Sequence, residues 1–235
     1  LCTVRAVLKK MEQRVLVGDW VTVGSIDWAD RRGMVEEVLP RSSQLLSPAV
    51  ANVEHILLMF AAAQPPLEPH NVSRFLVTAE AARLPVTLAF NKADLVAPAE
   101  MAALVERFRG WGYAAVPCST QTGEGLEAVQ EALARRTSVV AGPSGVGKSS
   151  LIKGLRRRSA ELGGEVTDQR AWEDLRTLTV SARSGRGRHT TRHTSLLAIP
   201  GAGYLVDSPG FNQPSLRNVT LEALPGFFPE VRRAP

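Results

Sequence analysis

Residues 142–149, Gly-Pro-Ser-Gly-Val-Gly-Lys-Ser, have a spacing that is typical of loops that bind nucleotide phosphates. The glycines let backbone N–H groups turn inward around phosphate oxygens, and Lys148 would reach the β and γ oxygens. Ser149 would ligate Mg²⁺, and the following helix would point its N-terminus at the anion. A plain glycine-rich turn would need neither the lysine nor the serine. We assign the phosphate contacts to Gly142, Pro143, Ser144, Gly145, Val146, Gly147, Lys148, Ser149 and Ser150.

A second motif, Asn-Lys-Ala-Asp at residues 91–94, follows an apolar run. The Asp94 carboxylate would accept two hydrogen bonds from the edge of a guanine ring, and Asn91 and Lys92 would complete the same pocket. Adenine presents the opposite donor pattern at this edge and would leave the carboxylate unpaired, which is costly when the group is buried. The motif therefore predicts selection of a guanine nucleotide.

The segment Cys-Ser-Thr-Gln-Thr-Gly-Glu-Gly-Leu at residues 118–126 lies between a predicted strand and a predicted helix. Backbone or hydroxyl groups of Ser119 and Thr120 could contact the guanine carbonyl. A polar loop at a helix start accounts for the same residues, and the segment alone favours that interpretation.

Asp207, in Asp-Ser-Pro-Gly at residues 207–210, ends another predicted strand. A carboxylate there can hold Mg²⁺ through water, and the Gly210 amide can contact the γ-phosphate. The same four residues also make a good turn, so this motif is weak in isolation.

The basic, glycine-rich stretch at residues 183–195 separates these two phosphate-side motifs. Thr190 or Thr191 could ligate Mg²⁺ when a triphosphate orders the loop. His189 and His193 have a spacing that could hold zinc on a helix, but no helical pattern or third ligand accompanies them.

Arg156, Arg157 and Arg158 form a second basic cluster. Both clusters are compatible with contacts to RNA phosphates and equally with solvated surface.

The order of these motifs is unusual. Along the chain the guanine motif comes first, then the Ser119 loop, the phosphate loop, the threonine loop and the Asp207 turn. A conventional GTPase has the last three first. The order therefore predicts a circularly permuted GTPase domain, which is physically allowed because termini and loops lie at the surface.

Alternating patterns of period two and 3.6 indicate the elements that position the motifs. Strands alternating with helices predict an α/β domain with a mostly parallel sheet and helices on both faces. The predicted strands are residues 55–61, 85–90, 113–119, 137–141 and 204–210, and the predicted helices are residues 71–84, 98–110, 126–136 and 150–158.

Residues 1–46 differ from the rest because they suggest short strands, with valines at alternate positions from Val15 to Val23. A small β-barrel of the oligonucleotide-binding type and a plain β cap fit equally well. We expect this domain at 1–46, the permuted domain at 47–215 and the start of a C-terminal segment at 216–235.

Composition excludes several classes. Hydrophobic residues make up 44% of the 235-residue chain, which suits a folded core, and no apolar run reaches membrane-spanning length. Two cysteines give neither a disulfide framework nor a metal spacing, so a reducing compartment is expected. The net charge of +5 is compatible with a polyanionic partner.

Taken together, the sequence resembles the ribosome small-subunit-dependent GTPase A family of circularly permuted GTPases. The matching stretches cover nearly the whole chain: VGDWV (17–21), LPRSSQLLSPAVANVEHILLMFA (39–61), NKADL (91–95), TGEGL (122–126), GPSGVGKSSL (142–151), GRGRHTTRH (185–193) and DSPGFN (207–212).

The resemblance implies an N-terminal oligonucleotide-binding barrel, a permuted GTPase domain and binding of GTP or GDP with Mg²⁺. It also implies binding to the small ribosomal subunit and its rRNA late in maturation, with hydrolysis favouring release. We expect a monomer without a membrane partner, in a cytoplasm or in an organelle stroma or matrix. The family's C-terminal zinc domain has no matching Cys or His after Asn212, and the barrel starts within an early strand, so we expect a fragment without zinc.

Phe211 stands where many GTPases carry the glutamine that orients water. We therefore expect slow intrinsic hydrolysis, with His189 or a ribosomal group supplying the missing function. Three alternatives remain: a P-loop ATPase or kinase, a nucleotide-sensing RNA-binding module with negligible catalysis, and a permuted GTPase of the large subunit.

Overall fold

The N-terminal residues form β-structure, as expected, in the computed structural model, which describes residues 2–5, 14–46, 49–161, 194–207 and 219–232. Strands β1 (Cys2–Val4), β3 (Arg32–Val38) and β2 (Val21–Asp27) make a sheet in that order, and β4 (Gln44–Leu46) pairs antiparallel with β5 (Ala49–Ala51). A buried ion pair fixes this unit, because the Asp19 side chain is 1% exposed and accepts from Arg41 Nε at 2.6 Å. Closure of these strands into a barrel stays a prediction.

A six-stranded sheet dominates the rest of the described chain. Its strands are β6 (His55–Ala61), β7 (Val86–Asn91), β8 (Ala114–Pro117), β9 (Arg136–Ala141), β10 (Ser195–Ile199) and β11 (Gly203–Asp207). Their order in the sheet is β10-β11-β9-β6-β7-β8. Five strands run parallel, and β10 pairs antiparallel with β11 at one edge.

Five α-helices accompany the sheet in the described part of the chain. They are α1 (Pro69–Ala81), α2 (Pro98–Gly110), α3 (Leu126–Leu133), α4 (Lys148–Glu161) and the short α5 (Pro229–Arg232). Prolines occupy the first turns of α1 and α2, where a missing N–H costs nothing. The predicted apolar faces are confirmed, since Val72, Phe75, Leu76 and Ala79 of α1 and Leu126, Val129 and Leu133 of α3 are all buried.

The helices cover both faces of the sheet, as predicted. Strand β6 is buried at all seven residues, which explains its unbroken apolar sequence. On one face Leu57 and Met59 join a core with apolar residues of α3 and α4. On the other face Phe60 packs edge-on against Phe75 of α1, with ring centroids 5.8 Å apart. The circularly permuted α/β fold is therefore built around β6.

The strand β10 was not predicted. Its residues Ser-Leu-Leu-Ala-Ile form a short apolar run before Pro200 and Gly201, which periodicity alone does not distinguish from a loop. Its partner β11 buries Leu205 and Val206, so the pairing decides the conformation of β10.

The chain divides into two compact units, Leu1–Val53 and Glu54–Pro235. The sequence analysis placed the first boundary after residue 46. The first unit extends further, to Val53, because β5 (Ala49–Ala51) pairs with β4 and stays in the same unit. The assignment of three domains stays a prediction. No helix in the described ranges is both long and apolar enough to cross a membrane.

Candidate functional site

The phosphate loop connects β9 to α4, at the edge of the sheet where the parallel strands end. Gly142 has φ of +145°, and a Cβ at this position would lie 2.0 Å from the carbonyl oxygen of Met59 in β6. Only glycine therefore lets the loop cross the end of the central strand. Beyond this crossing, Ser144, Gly145, Ser149 and Ser150 are exposed, so their amides and hydroxyls are accessible to a ligand.

Lys148 closes the loop on itself. Its ammonium donates to the carbonyl oxygens of Gly142 at 2.7 Å and Pro143 at 2.6 Å. Burial lowers the pKa of this ammonium to about 8, against a smaller opposing effect of the Asp207 carboxylate. A phosphate group would replace the two carbonyl contacts with a full negative charge, which the partly buried ammonium would bind more strongly.

Asp207 lies beside the phosphate loop. It ends β11, which pairs in parallel with β9 through Val206 and Val139, and its charge is felt at Lys148. Burial raises the pKa of the Asp207 carboxyl, and Lys148 opposes this effect. A hydroxyl at Ser149 and a carboxylate at Asp207 suit Mg²⁺, which prefers oxygen ligands and takes others from phosphates and water.

Asn91 ties three of the predicted motifs together and is only 1% exposed. Its side-chain Nδ2 donates to the carbonyl oxygen of Val146 at 2.8 Å, and its Oδ1 accepts from the Thr120 amide at 3.0 Å. A Cβ added to Gly147 would lie 2.4 Å from Asn91 Nδ2, so the fit is close. The guanine motif, the Ser119 loop and the phosphate loop are therefore held as one unit by a single carboxamide.

Lys92 and Asp94 follow at the end of β7. Lys92 has φ of +63°, and its Nζ donates to the carbonyl oxygen of Gln64 in the β6–α1 connection. Asp94 is exposed in a 3₁₀ turn, Ala93–Leu95, and no donor contacts its carboxylate in the described part of the chain. Both oxygens are thus accessible as acceptors.

The Ser119 loop is organised mainly by its own hydrogen bonds. The buried Ser119 hydroxyl accepts from the amides of Gln121 at 3.2 Å and Thr122 at 3.1 Å. The Thr120 amide is bonded to Asn91, whereas the Thr120 hydroxyl accepts weakly from Asn91 at 3.3 Å and keeps its own proton. Because Ser119 is fully buried and Thr120 is half-buried, the Thr120 hydroxyl is the one of these two hydroxyls that can donate to a base.

Several predicted residues lie outside the described part of the chain: His189, Thr190, Thr191 and Gly210. The interpretation of Arg156, Arg157 and Arg158 as one basic surface is wrong. Successive helical residues point about 100° apart, and accordingly Arg156 is 1% exposed in the core while Arg158 pairs with Glu127 of α3 at 2.9 Å. Of the three, Arg157 is the exposed one, and it lies 3.9 Å from Glu161.

The sequence patterns do not indicate two groups that lie at the site, the Gln64 carbonyl and the Pro65 ring. The Gln64 carbonyl contacts Lys92, and Pro65 Cδ lies 3.8 Å from where a Cβ on Gly145 would stand. The β6–α1 connection thus lines the pocket. A backbone carbonyl has no side-chain signature, so only the Pro-Pro pair at 65–66 hinted that this loop has a fixed shape.

Comparison with known proteins agrees with this geometry. A model of the RsgA GTPase family matches residues 38–217. The "Small ribosomal subunit biogenesis GTPase RsgA 1, mitochondrial" of Arabidopsis thaliana is 52% identical over 99% of this chain and 55% of its own length. The "Small ribosomal subunit biogenesis GTPase RsgA" of Thermosynechococcus vestitus is 46% identical over 99% of this chain and 63% of its own length. The chain therefore spans less than two thirds of the length of these relatives.

Solved structures give the same result. The crystal structure of YjeQ from Thermotoga maritima has a TM-score of 0.74 at 29% identity, over 97% of this chain and 73% of that one. YloQ, described as a circularly permuted GTPase, has a TM-score of 0.72 at 26% identity, over 98% of this chain and 69% of that one. The resemblance inferred from the motifs is confirmed, and the chain belongs to the RsgA GTPase family.

Proposed function

We propose that this chain binds GTP, hydrolyses it to GDP and phosphate, and acts in late maturation of the small ribosomal subunit. The observation that carries the nucleotide assignment is the Asn91 carboxamide, which joins the guanine motif to the phosphate loop. A P-loop ATPase or kinase keeps Lys148 and Ser149 but has no use for Asn91 and Asp94.

Base selection rests on Asp94 and Thr120. The exposed Asp94 carboxylate accepts from the two donors on the guanine edge, and the Thr120 hydroxyl donates to the guanine carbonyl. Adenine lacks these two donors and would leave the carboxylate unpaired beneath the bound base. The Asn91 carboxamide accepts from the Thr120 amide and so positions the Thr120 hydroxyl. Lys92, held by the Gln64 carbonyl, borders the same pocket.

The phosphate side rests on Lys148 and the helix that it begins. Lys148 exchanges its two loop carbonyls for β and γ oxygens, and the amides of residues 142–150 surround the phosphates. Bound Mg²⁺ supplies charge neutralisation between the β- and γ-phosphates. Ser149 and Asp207 would hold it, with Thr190 or Thr191, and the Gly210 amide would contact the γ-phosphate.

Water activation is assigned to His189 or to a group of the ribosome, because Phe211 cannot orient water. Slow turnover by the isolated chain follows from this assignment. His189→Ala with full ribosome-stimulated turnover would remove His189 from the scheme.

The partner assignment rests on the relatives, whose names state small ribosomal subunit biogenesis. We propose that this chain acts as a monomer on the small subunit and its rRNA, and that it works in an organelle. The Arabidopsis relative is named mitochondrial. Fluorescence microscopy of the full gene product tagged at its C-terminus would contradict the organelle assignment if the signal filled the cytosol.

The deciding experiment is GTP hydrolysis with and without purified small ribosomal subunits, with ATP as the control nucleotide. We expect slow turnover of GTP alone, strong stimulation by the subunit and no turnover of ATP. GTP turnover that the subunit leaves unchanged would overturn the ribosomal part and keep the GTPase. Equal competition by ADP and GDP for the bound nucleotide would overturn the guanine assignment.

A further inference from the structure

Three exposed arginines, Arg83, Arg135 and Arg136, lie at the edge of the sheet formed by the amino ends of its parallel strands. The nucleotide pocket lies at the carboxyl ends of the same strands. Arg83 lies in the connection from α1 to β7, Arg135 lies in the connection from α3 to β9, and Arg136 is the first residue of β9. Those two strands flank the central strand β6. The arginines therefore stand on either side of the first residues of β6, where the parallel strands begin.

Hydrogen bonds fix this arrangement closely. The Ile56 amide donates to the carbonyl of Pro85 at 2.9 Å, and the Glu54 amide donates to the carbonyl of Thr137 at 2.9 Å. Arg83 follows the last residue of α1, Ala81, by two residues, and Arg135 follows the last residue of α3, Leu133, by two residues. The two arginines thus occupy equivalent positions after their helices.

Both arginines have a backbone conformation that favours glycine. Arg83 has φ of +55° and Arg135 has φ of +60°. The comparable loop from α2 to β8 uses Gly112, at φ of +98°, for its left-handed residue. Glycine adopts this region without steric cost, whereas a side chain with a Cβ does not. Two of the three loops therefore carry a strained arginine where the same protein elsewhere uses glycine.

The arginines have no ion-pair partner within the ranges that the structure describes. Two carboxylates lie at this edge: Glu54 accepts from the Thr137 amide at 2.9 Å, and Glu80 pairs with Arg232 at 2.7 Å. Glu54 keeps its negative charge there, but no carboxylate of the described ranges contacts the three guanidinium groups directly.

The charge of the edge points to a polyanion. Protein interfaces bury a central apolar and aromatic patch. The exposed aromatic residues that the structure describes at this end of the sheet are two separate side chains, Tyr204 beside Thr137 on β11 and Trp111 in the connection from α2 to β8. Guanidinium groups instead match phosphate oxygens in a two-point geometry and stay charged at all physiological pH values.

We propose that Arg83, Arg135 and Arg136 form a binding surface for RNA backbone phosphates, on the side of the domain opposite the nucleotide. This inference rests on the proposed action on the small ribosomal subunit, and it assigns the phosphate-binding groups within this domain. Because the nucleotide pocket lies at the other ends of the strands, removal of the arginines leaves GDP binding unchanged.

Glycine provides the sharpest test. The double variant Arg83→Gly/Arg135→Gly removes two charges and relieves two left-handed residues, so its Tm should equal or exceed that of the wild type. Its affinity for purified small ribosomal subunits, measured in the full chain over a series of KCl concentrations, should fall. The plot of log K against log salt has a negative slope. This slope should become shallower by about 0.7 to 0.9 for each RNA phosphate that the variant no longer neutralises.

Two further variants complete the test. Arg83→Lys/Arg135→Lys keeps the charge and the strain and should retain most of the affinity. Arg74→Gln/Arg157→Gln removes two charges from exposed helix positions and should keep the wild-type slope. A glycine variant with the slope and affinity of the wild type would overturn the inference and leave the proposed function intact. A wild-type chain that binds GDP but no small subunits would overturn both.

Discussion

Asn91 and Val146 are joined by a hydrogen bond of 2.8 Å between the side-chain Nδ2 of Asn91 and the main-chain carbonyl oxygen of Val146. The two residues belong to the guanine motif and to the phosphate loop, which are neighbours only in the folded protein. Without the Val146 carbonyl, the buried side-chain N–H of Asn91 would lose its acceptor, which would lower the stability of the fold. The bond therefore couples the base-reading side of the pocket to the phosphate side.

Asp94→Asn should change the base that the pocket prefers. An asparagine offers one acceptor and one donor, so its amide would face the exocyclic amino group of guanine and repel it. We expect GTP affinity to fall by about 100-fold or more. Xanthine nucleotides, with a carbonyl at that ring position, should bind better than guanine nucleotides. Competition titrations of GDP and xanthosine diphosphate check this.

Glu100→Gln is the matched control for Asp94→Asn, because it removes a nearby carboxylate from the first turn of α2. It should leave the preference for guanine unchanged. Unaltered GTP affinity in Asp94→Asn would show that Asp94 does not contact the base.

Gly147→Ala should loosen the pocket and destabilise the fold. Gly147 has φ of +99°, and an added Cβ would lie 2.4 Å from Asn91 Nδ2. The strained backbone and the forced shift of Asn91 together should lower the free energy of unfolding by about 2 kcal/mol or more. Denaturant unfolding with and without GDP measures both the decrease in stability and the decrease in binding.

The control for Gly147→Ala is Gly123→Ala. Gly123 has a similar φ of +89°, but an added Cβ would meet nothing within 4 Å. It therefore reports the backbone cost alone and should be less destabilising. Equal destabilisation in the two variants would mean that the clash with Asn91 contributes nothing.

The sequence predicted the local features of this site well, because they depend on residues close together in the chain. The apolar run His55–Ala61, the helix Pro98–Gly110 and the phosphate loop between a strand and a helix all occur where the patterns placed them. The cyclic order of the motifs predicted the permuted fold. Each of these features can be predicted from the spacing of nearby residues, without knowledge of the tertiary contacts.

Features that depend on tertiary pairing were not predictable in the same way. Nothing in the sequence around Asn91 shows that its carboxamide bonds to a carbonyl 55 residues later. Arg156 belongs to a run of three arginines that suggests surface, yet the position of α4 against the sheet buries it. Strand β10 forms because β11 offers a free edge, which the five residues of β10 cannot indicate alone.

Nucleotide affinity should fall as the pH rises above about 8. Burial lowers the pKa of the Lys148 ammonium to about 8 in the free protein, so the charged form that binds phosphate is depleted above that pH. Affinity should change little just below that pH and should decrease by up to about tenfold per pH unit above it. Titration with a fluorescent GDP analogue across this range measures the effect.

Lys148→Arg tests the cause of this dependence. An arginine stays charged throughout the range, so its weaker binding should fall much less above pH 8 than that of the wild type. A wild-type affinity that stays constant well above pH 8 would show that Lys148 keeps its proton in the free protein.

Acid should destabilise the fold through His55. This histidine is 0% exposed at the start of β6, and its ring contacts Ser138 Oγ at 3.1 Å and Thr87 Oγ1 at 2.9 Å. Burial, with a smaller effect of Arg136, lowers the pKa of its imidazole from 6.5 to about 4. The unfolded chain therefore takes up a proton between pH 6.5 and 4 that the folded chain refuses. Stability should fall across this window as the pH falls, by up to about 3 kcal/mol.

His55→Gln isolates this effect, since an amide can bond to both hydroxyls but does not titrate. The variant should be less stable than the wild type at pH 7 and should lose less stability between pH 6.5 and 4. His70→Gln, in the exposed first turn of α1, removes a histidine away from these three strands and serves as the matched control. Denaturant unfolding at each pH gives the comparison. Parallel stability curves for the wild type and His55→Gln would show that His55 is not the group that makes the fold sensitive to acid.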